Sequence, residues 1–212
     1  RFRTEALGSF RTLLHAMAKD VAMLIWLDSN ANRKRHANEN FAREVMELFS
    51  LGEGNYTEDD IKQAARAFTG WHVRDDKFWF NQRQHDITSK SLFGKTANLD
   101  GGEVIDLCLA HKACARFIAF KLLRAFVLDQ PTDVHITALA ARLRAHDFAM
   151  RPVMRELLES KFFNFAKKKS FFKVRIGRKI PIDIYGILSM PVRMQTSRSI
   201  FLELIICFFA NK

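Results

Sequence analysis

Residues 38–71, NENFAREVMELFSLGEGNYTEDDIKQAARAFTGW, constrain the fold more than any other stretch. They carry two apolar stripes at helical spacing, each with its own start and stop signals. Phe41, Val45, Leu48 and Phe49 fall at i, i+4, i+7 and i+8, one face of a helix. Asn38 is the expected N-cap, because its short amide accepts a backbone N–H that has no partner inside the helix. Gly52 and Gly54 are expected to end that helix, since a left-handed backbone costs least without a Cβ. Thr57 with Asp60 three residues on forms a capping box, with Asp in place of Glu or Gln. Ile61, Ala64, Ala65 and Phe68 make the second stripe; Gly70 stops it, and Trp71 closes the stretch.

The same signals divide the rest of the chain. Residues 5–18 read as an amphipathic helix with Leu7, Phe10, Leu14 and Met17 on one side. Asp20 caps a second helix over 21–27, and residues 28–36 read as a polar loop with a solvated Arg33-Lys34-Arg35-His36 run, anion binding being its minor reading. Residues 71–84 alternate as a hairpin between Val73 and Asn81, with Asp75-Asp76 in the turn. Residues 85–102 read as an ordered loop. The apolar run 103–128 is split near His111-Lys112, and Pro131 lies beyond its end. Thr132 caps a helix to residue 145, and Pro152 sits in the first turn of the next. The expected fold is mostly α, about seven to nine helices with one small β-hairpin.

Charge separates the two ends. The net charge is +11, yet residues 161–212 hold 11 of the 34 Lys/Arg and only 2 of the 23 acids. Residues 1–160 therefore carry only +2 and form the α-helical domain, while 161–212 form a basic, Phe/Lys-rich C-terminal segment. A near-neutral body argues against a nucleic-acid protein. Cys108, Cys114 and Cys207 have neither metal-site nor disulfide spacing and are expected as small buried hydrophobes. No apolar run reaches the roughly 18 residues of a membrane span. Arg1-Phe2-Arg3 is unlike a natural start, so the chain is read as a fragment lacking its N-terminal part.

Three groups of residues could carry chemistry. Glu39, Arg43 and Glu47 stand at i, i+4 and i+8, which as a surface ion-pair row is worth roughly 0.2–0.5 kcal/mol per pair. Alternatively, Glu39, Glu44 and Glu47 bring carboxylates to a site, with Asn38 and Asn40 orienting them. His85-Asp86 can ligate a metal or move a proton; the plainer reading has Asp86 capping the loop and His85 bonded to backbone. A second pair, His146-Asp147, invites comparison with the HD phosphohydrolases, whose pair lies on a helix. The candidate metal ligands are Glu44, Glu47, His85 and Asp86. Gly94-Lys95-Thr96 lacks the earlier glycine of a phosphate loop, since Ser89 stands there, so no nucleotide is expected. Serine, thiol and standard zinc hydrolase motifs are absent.

The block NEN-ARE-MELF-LG-GNYTE-DI--AARA-TGW, followed by His85-Asp86, FGKTANLDG and ACARFIAFKLLRAFV, resembles the bacterial family catalogued as domain of unknown function eighteen-hundred. The resemblance covers roughly residues 5–165. It includes Asn38, Asn40, Gly52, Thr57, Gly70, Trp71, Gly94, Lys95 and Thr96. It implies an α-rich, exported protein, periplasmic or extracellular, often encoded beside a sulfatase-like partner. By analogy it implies a role in envelope or polysaccharide processing. Two functional classes follow: an accessory or scaffold protein that binds that partner or a polysaccharide, or a metal-dependent hydrolase using a divalent metal at the carboxylate and His85/Asp86 clusters.

Overall fold

The computed structural model of the 212-residue chain describes residues 5–163. The basic C-terminal segment, apart from its first three residues, and Cys207 lie outside the described residues. The chain is mostly helical, and its described residues contain eight α-helices and two two-stranded antiparallel sheets. They divide between two compact units, residues 14–114 and a second unit made of 1–13 with 115–212.

In the 14–114 unit, Asp20 caps α2 (Val21–Trp26) by accepting the N–H of Ala22 at 2.9 Å. Helix α3 (Asn40–Glu44) begins two residues after Asn38, whose Oδ1 accepts the Asn40 N–H at 2.9 Å. The expected single helix does not continue regularly. From Val45 to Ser50 it widens into a π-helix, in which the Leu51 N–H reaches the Met46 carbonyl and the Ser50 hydroxyl donates to the Val45 carbonyl at 2.6 Å. The wider turn rotates the stripe: Phe41, Val45, Met46 and Phe49 are buried, whereas Leu48 is only half-buried. Gly52 and Gly54 take the expected positive φ.

Helix α4 (Glu58–Ala67) starts with the full Thr57/Asp60 capping box and buries Ile61, Ala64, Ala65 and Phe68. After Gly70, β1 (Trp71–Arg74) and β2 (Lys77–Phe80) form the expected hairpin, with Trp71 opposite Phe80 and Asp75-Asp76 in the left-handed turn. The segment 85–102, expected as a loop, contains a second hairpin. Its strands β3 (Lys90–Leu92) and β4 (Lys95–Ala97) are joined at Phe93-Gly94, with φ of 49° and 81°. Lys95 and Thr96 are strand residues; Thr96 Oγ1 bonds Ser91 Oγ at 2.5 Å. Helix α5 (Gly101–Ala110) opens with a second capping box, Asp100 with Glu103. The chain breaks at His111, as expected, before α6 (Lys112–Phe126).

The aromatic core of this unit is built from Phe41, Phe68, Trp71 and Phe78. Trp71 meets Phe68 and Phe78 edge-on at 5.1 and 5.3 Å, and Phe41 meets Phe68 at 5.0 Å. Such contacts add roughly 0.5–1.5 kcal/mol each beyond the area they bury. Gly101 is the close-approach point, since a Cβ there would lie 2.5 Å from the Phe68 ring and 2.6 Å from Trp71. Cys108 and Cys114 are buried, and burial pushes the Cys108 thiol up to about 12.

In the other unit the first helix is shorter than its periodicity implies. Helix α1 (Phe10–Ala18), which crosses the unit boundary, begins only after Gly8-Ser9. Those residues instead pair with residues 148–150: the Phe10 N–H donates to the Phe148 carbonyl and the Met150 N–H to the Gly8 carbonyl. Leu7 is consequently half-buried rather than on the core stripe. Helix α7 (Asp133–Ala145) follows Thr132, but the Thr132 hydroxyl bonds the His135 ring at 2.9 Å rather than capping backbone. Helix α8 (Met150–Glu159) carries Pro152 in its first turn, where a missing N–H costs nothing.

Candidate functional site

Every candidate residue from Asn38 to Thr96 lies in the 14–114 unit. The first group is an acidic face closed by one arginine. Arg43 bonds Glu39 at 3.1 Å, one turn back, and grips both carboxylate oxygens of Glu58 at 2.9 and 2.7 Å. That fork holds the Glu58 carboxyl below its usual range. Glu47, expected to extend the Glu39–Arg43 row, instead accepts the Tyr56 hydroxyl at 3.0 Å. The π-helical turn after Glu44 accounts for the change of partner, because it breaks the i+4 alignment. Burial, and then the Glu47 carboxylate, push the Tyr56 phenol above its ordinary range. Glu44 is half-buried.

The second group surrounds His85-Asp86 and is more enclosed. His85 is buried, and its Nδ1 donates to the Thr69 carbonyl at 2.8 Å. Asp86 receives three side-chain contacts: the Thr88 hydroxyl at 2.6 Å and N–H at 2.9 Å on one oxygen, and Arg66 Nε at 2.9 Å on the other. Its own N–H donates to the Thr69 hydroxyl. Burial alone would raise the Asp86 carboxyl, but the Thr88 donors and the Arg66 guanidinium outweigh it and hold the group well below the usual carboxylate range. Arg66 also reaches Gln63 at 2.7 Å, the Thr88 hydroxyl at 2.5 Å and the Ser89 carbonyl at 3.1 Å. One guanidinium thus ties α4 to the 86–89 turn.

Two further residues organise this region, and neither stands out in the sequence. Lys90 is 1% exposed, and its ammonium donates to the carbonyls of Asp86 at 2.6 Å and Thr88 at 3.0 Å and to Asn98 Oδ1 at 3.3 Å. Burial lowers its pKa. Asn32, also 1% exposed, donates to the Ala65 carbonyl and accepts the Asn38 N–H, while its own carbonyl accepts the Gly70 N–H. It joins the 28–36 turn, the start of α3 and the end of α4. A lysine in a strand and an asparagine in a polar loop carry no local mark of burial; only their distant partners distinguish them.

Trp71 sits in the aromatic core, and Lys95 approaches Glu103 at 3.9 Å. In the other unit His146 bonds Glu156 at 2.8 Å, and Asp147 is largely exposed beside Arg11. Glu39 and Glu47 on one side, and His85 and Asp86 on the other, have separate sets of partners. Among the described residues no three His, Cys, Asp or Glu side chains are grouped to hold a metal ion, and no buried side-chain nitrogen or oxygen lacks a hydrogen bond. No described helix is long and apolar enough to cross a membrane.

No curated protein and no solved structure matches the chain. The family model described as protein of unknown function (DUF1800) matches residues 1–180. The match extends over both groups of polar residues and the glycine and aromatic positions that hold them, and the chain belongs to the DUF1800 family.

Proposed function

We propose that this chain is an accessory or scaffold module, exported by a bacterial cell and acting with a sulfatase-like secreted partner in envelope or polysaccharide processing. The observation that supports a non-catalytic role is the use made of the His85-Asp86 pair. Asp86 is held by Arg66 and Thr88, and His85 by the Thr69 carbonyl. A general base or metal ligand needs a lone pair facing a substrate or ion. Here both Asp86 oxygens accept from Thr88 and Arg66, and the His85 lone pair, left on Nε2 because Nδ1 donates to Thr69, belongs to a buried ring packed edge-on against Phe80 at 5.2 Å. The Glu39–Arg43–Glu58 and Glu47–Tyr56 contacts are of the same kind.

The test combines a thermal melt with and without chelator, elemental analysis, and capture by the co-encoded sulfatase-like protein. The accessory reading expects a cooperative melt indifferent to chelator and capture retained in Glu39→Ala, Glu44→Ala and His85→Ala chains that still melt cooperatively. Near-stoichiometric metal whose removal lowers the melt, and which His85→Ala abolishes, would replace it with the metal-dependent hydrolase, because a ligand bound only by the native state stabilises that state.

A further inference from the structure

We propose that one face of the 14–114 unit, centred on the Arg33–His36 turn, Arg83 and Trp79, binds an acidic glycan. The inference deepens the accessory reading and rests on it only for the setting in which such a glycan would be met. Three contacts assemble the face from segments about fifty residues apart. The Lys34 N–H donates to the Gln84 carbonyl at 2.8 Å, which lays the 33–36 turn against the Gln82–Gln84 turn. The Gln84 side-chain oxygen meets His72 Nε2 at 2.6 Å. The His72 ring lies 6.2 Å from that of Trp79, its cross-strand partner. The basic turns and the tryptophan therefore share one side of the β1–β2 hairpin.

The four cations of the two turns are unneutralised. Arg33, Lys34, Arg35 and Arg83 are exposed, and no acid occurs between Asp28 and Glu39 or between Asp76 and Asp86. Among the described residues none of the four forms an ion pair. Arg43 and Arg66 of the same unit, by contrast, are each paired with carboxylates. Arg33 Nε donates to the Asn30 carbonyl at 3.1 Å, which fixes that side chain without neutralising it; four cations without counter-charges repel one another and favour an anion between them. Trp79 adds a flat apolar surface, 38% exposed, with the Arg74 guanidinium 5.2 Å from its ring.

A polyanion that also stacks could be a glycan or a single-stranded nucleic acid. Asp75 and Asp76 decide between them: both are exposed in the turn of the same hairpin, Asp75 lying 3.7 Å from the Arg74 guanidinium. A single-stranded DNA backbone offers only acceptor oxygens, so nothing on it can donate to those carboxylates and its charge is repelled by them. An acidic glycan keeps, beside its carboxylates or sulfates, neutral hydroxyls that can donate to those same carboxylates, while its C–H face packs on an indole.

The experiment uses the full chain, with polygalacturonate and dextran sulfate as probes, neutral dextran as control, and a single-stranded oligonucleotide as competitor, read by affinity electrophoresis. The proposal expects binding to at least one acidic glycan. That binding should weaken about tenfold in Trp79→Ala, which leaves the net charge unchanged, and by a similar factor in the Arg35→Ala/Arg83→Ala double variant. Both changes are at exposed positions, and unchanged melts will show that the fold is kept. Binding that ignores Trp79→Ala and follows net charge alone overturns the proposal. So does tighter binding of the oligonucleotide, or no binding to either acidic glycan. Glycan binding lost while capture by the sulfatase-like partner persists, or the reverse, shows which of the two readings has failed.

Discussion

Gly70→Ala should be the most informative single change in this chain, because it separates backbone strain from close packing. Gly70 has a φ of +82°, its N–H donates to the Asn32 carbonyl and its carbonyl accepts the Asn81 N–H. A Cβ built there would lie 2.6 Å from the Asn81 carbonyl oxygen and 3.3 Å from His85 Cβ. The first contact is with backbone, which cannot swing aside. Left-handed backbone costs an L-residue about 1–2 kcal/mol, and relieving a clash in a packed region costs about 1–3 kcal/mol more. The sum is roughly 2–5 kcal/mol. Gly54 supplies the control: its φ is +80°, yet nothing lies within 4 Å of its would-be Cβ. Gly54→Ala should therefore cost only the strain, about 1–2 kcal/mol. Urea denaturation of the two variants measures the difference directly, with equal m-values required for the comparison. If the two lose the same stability to within about half a kcal/mol, the approach of β2 and His85 to Gly70 is not what fixes this junction, and the reasoning fails.

Other outcomes follow from the Asp86 region. Asp86→Asn breaks a largely buried pair and should cost about 3 kcal/mol at neutral pH, the low end for such pairs because Arg66 is partly exposed. The folded Asp86 binds its proton less readily than the unfolded one. Its stabilisation is therefore complete above pH about 4 and is lost as pH falls through the lower folded value, so the acid limb of a melt-versus-pH curve should be flatter in the variant. Lys90→Met leaves three oxygens without their donor and should cost about 1–3 kcal/mol near neutrality. Because the folded Lys90 holds its proton more weakly than the unfolded one, stability should rise with pH as the ordinary lysine value is approached from below; that rise should be smaller in the variant. Asn32→Ala should cost at least about 2 kcal/mol, since the Ala65 carbonyl and the Asn38 N–H both lose a partner, and Asn32→Asp should cost more because it buries a charge. Both are read by chemical denaturation.

Local signals were legible where the physics is local. Caps at Asp20 and Thr57, stripes such as Ile61/Ala64/Ala65/Phe68, and the Asp75-Asp76 turn each involve groups within four residues of one another, whereas the expected cap at Asn38 moves one residue on, to Glu39, with Asn38 bonding the Asn40 N–H. The π-helical register was not legible, because Val45–Ser50 has an ordinary helical composition and the wider turn is held by the Ser50 hydroxyl and by packing. The second hairpin was missed for a different reason: three-residue strands of sequence KSL and KTA are too short to display an alternation. Its Phe93-Gly94 turn and the Asp100/Glu103 capping box that follows it are the local signals of this segment. The candidate site divided in the same way. The His85-Asp86 adjacency was visible, whereas its environment depends on Thr69, Arg66 and Lys90, four to twenty residues away.

That division bears on what the family resemblance can mean. Asn38 bonds the first N–H of α3, Thr57 caps α4, Gly70 admits the approach of Asn81, Trp71 fills the aromatic core, and Gly94 turns the second hairpin. Asp86, Arg66 and Thr69 bind those pieces together. Each of these residues has a folding role sufficient to explain its presence, so a match at these positions identifies the architecture and carries little information about chemistry. Lys34, Arg35 and Arg83 differ from these: they are among the described charged residues whose side chains make no ion pair. Leaving three cations clustered and unpaired lowers the stability of the free protein, if only slightly at an exposed surface. Aspartates or neutral residues at these positions would remove that repulsion without disturbing any contact of the fold. A ligand accounts for this charge where the fold does not, and it is on this face, rather than among the carboxylates of α3 or at His85-Asp86, that substitutions should alter binding while leaving the melt unchanged.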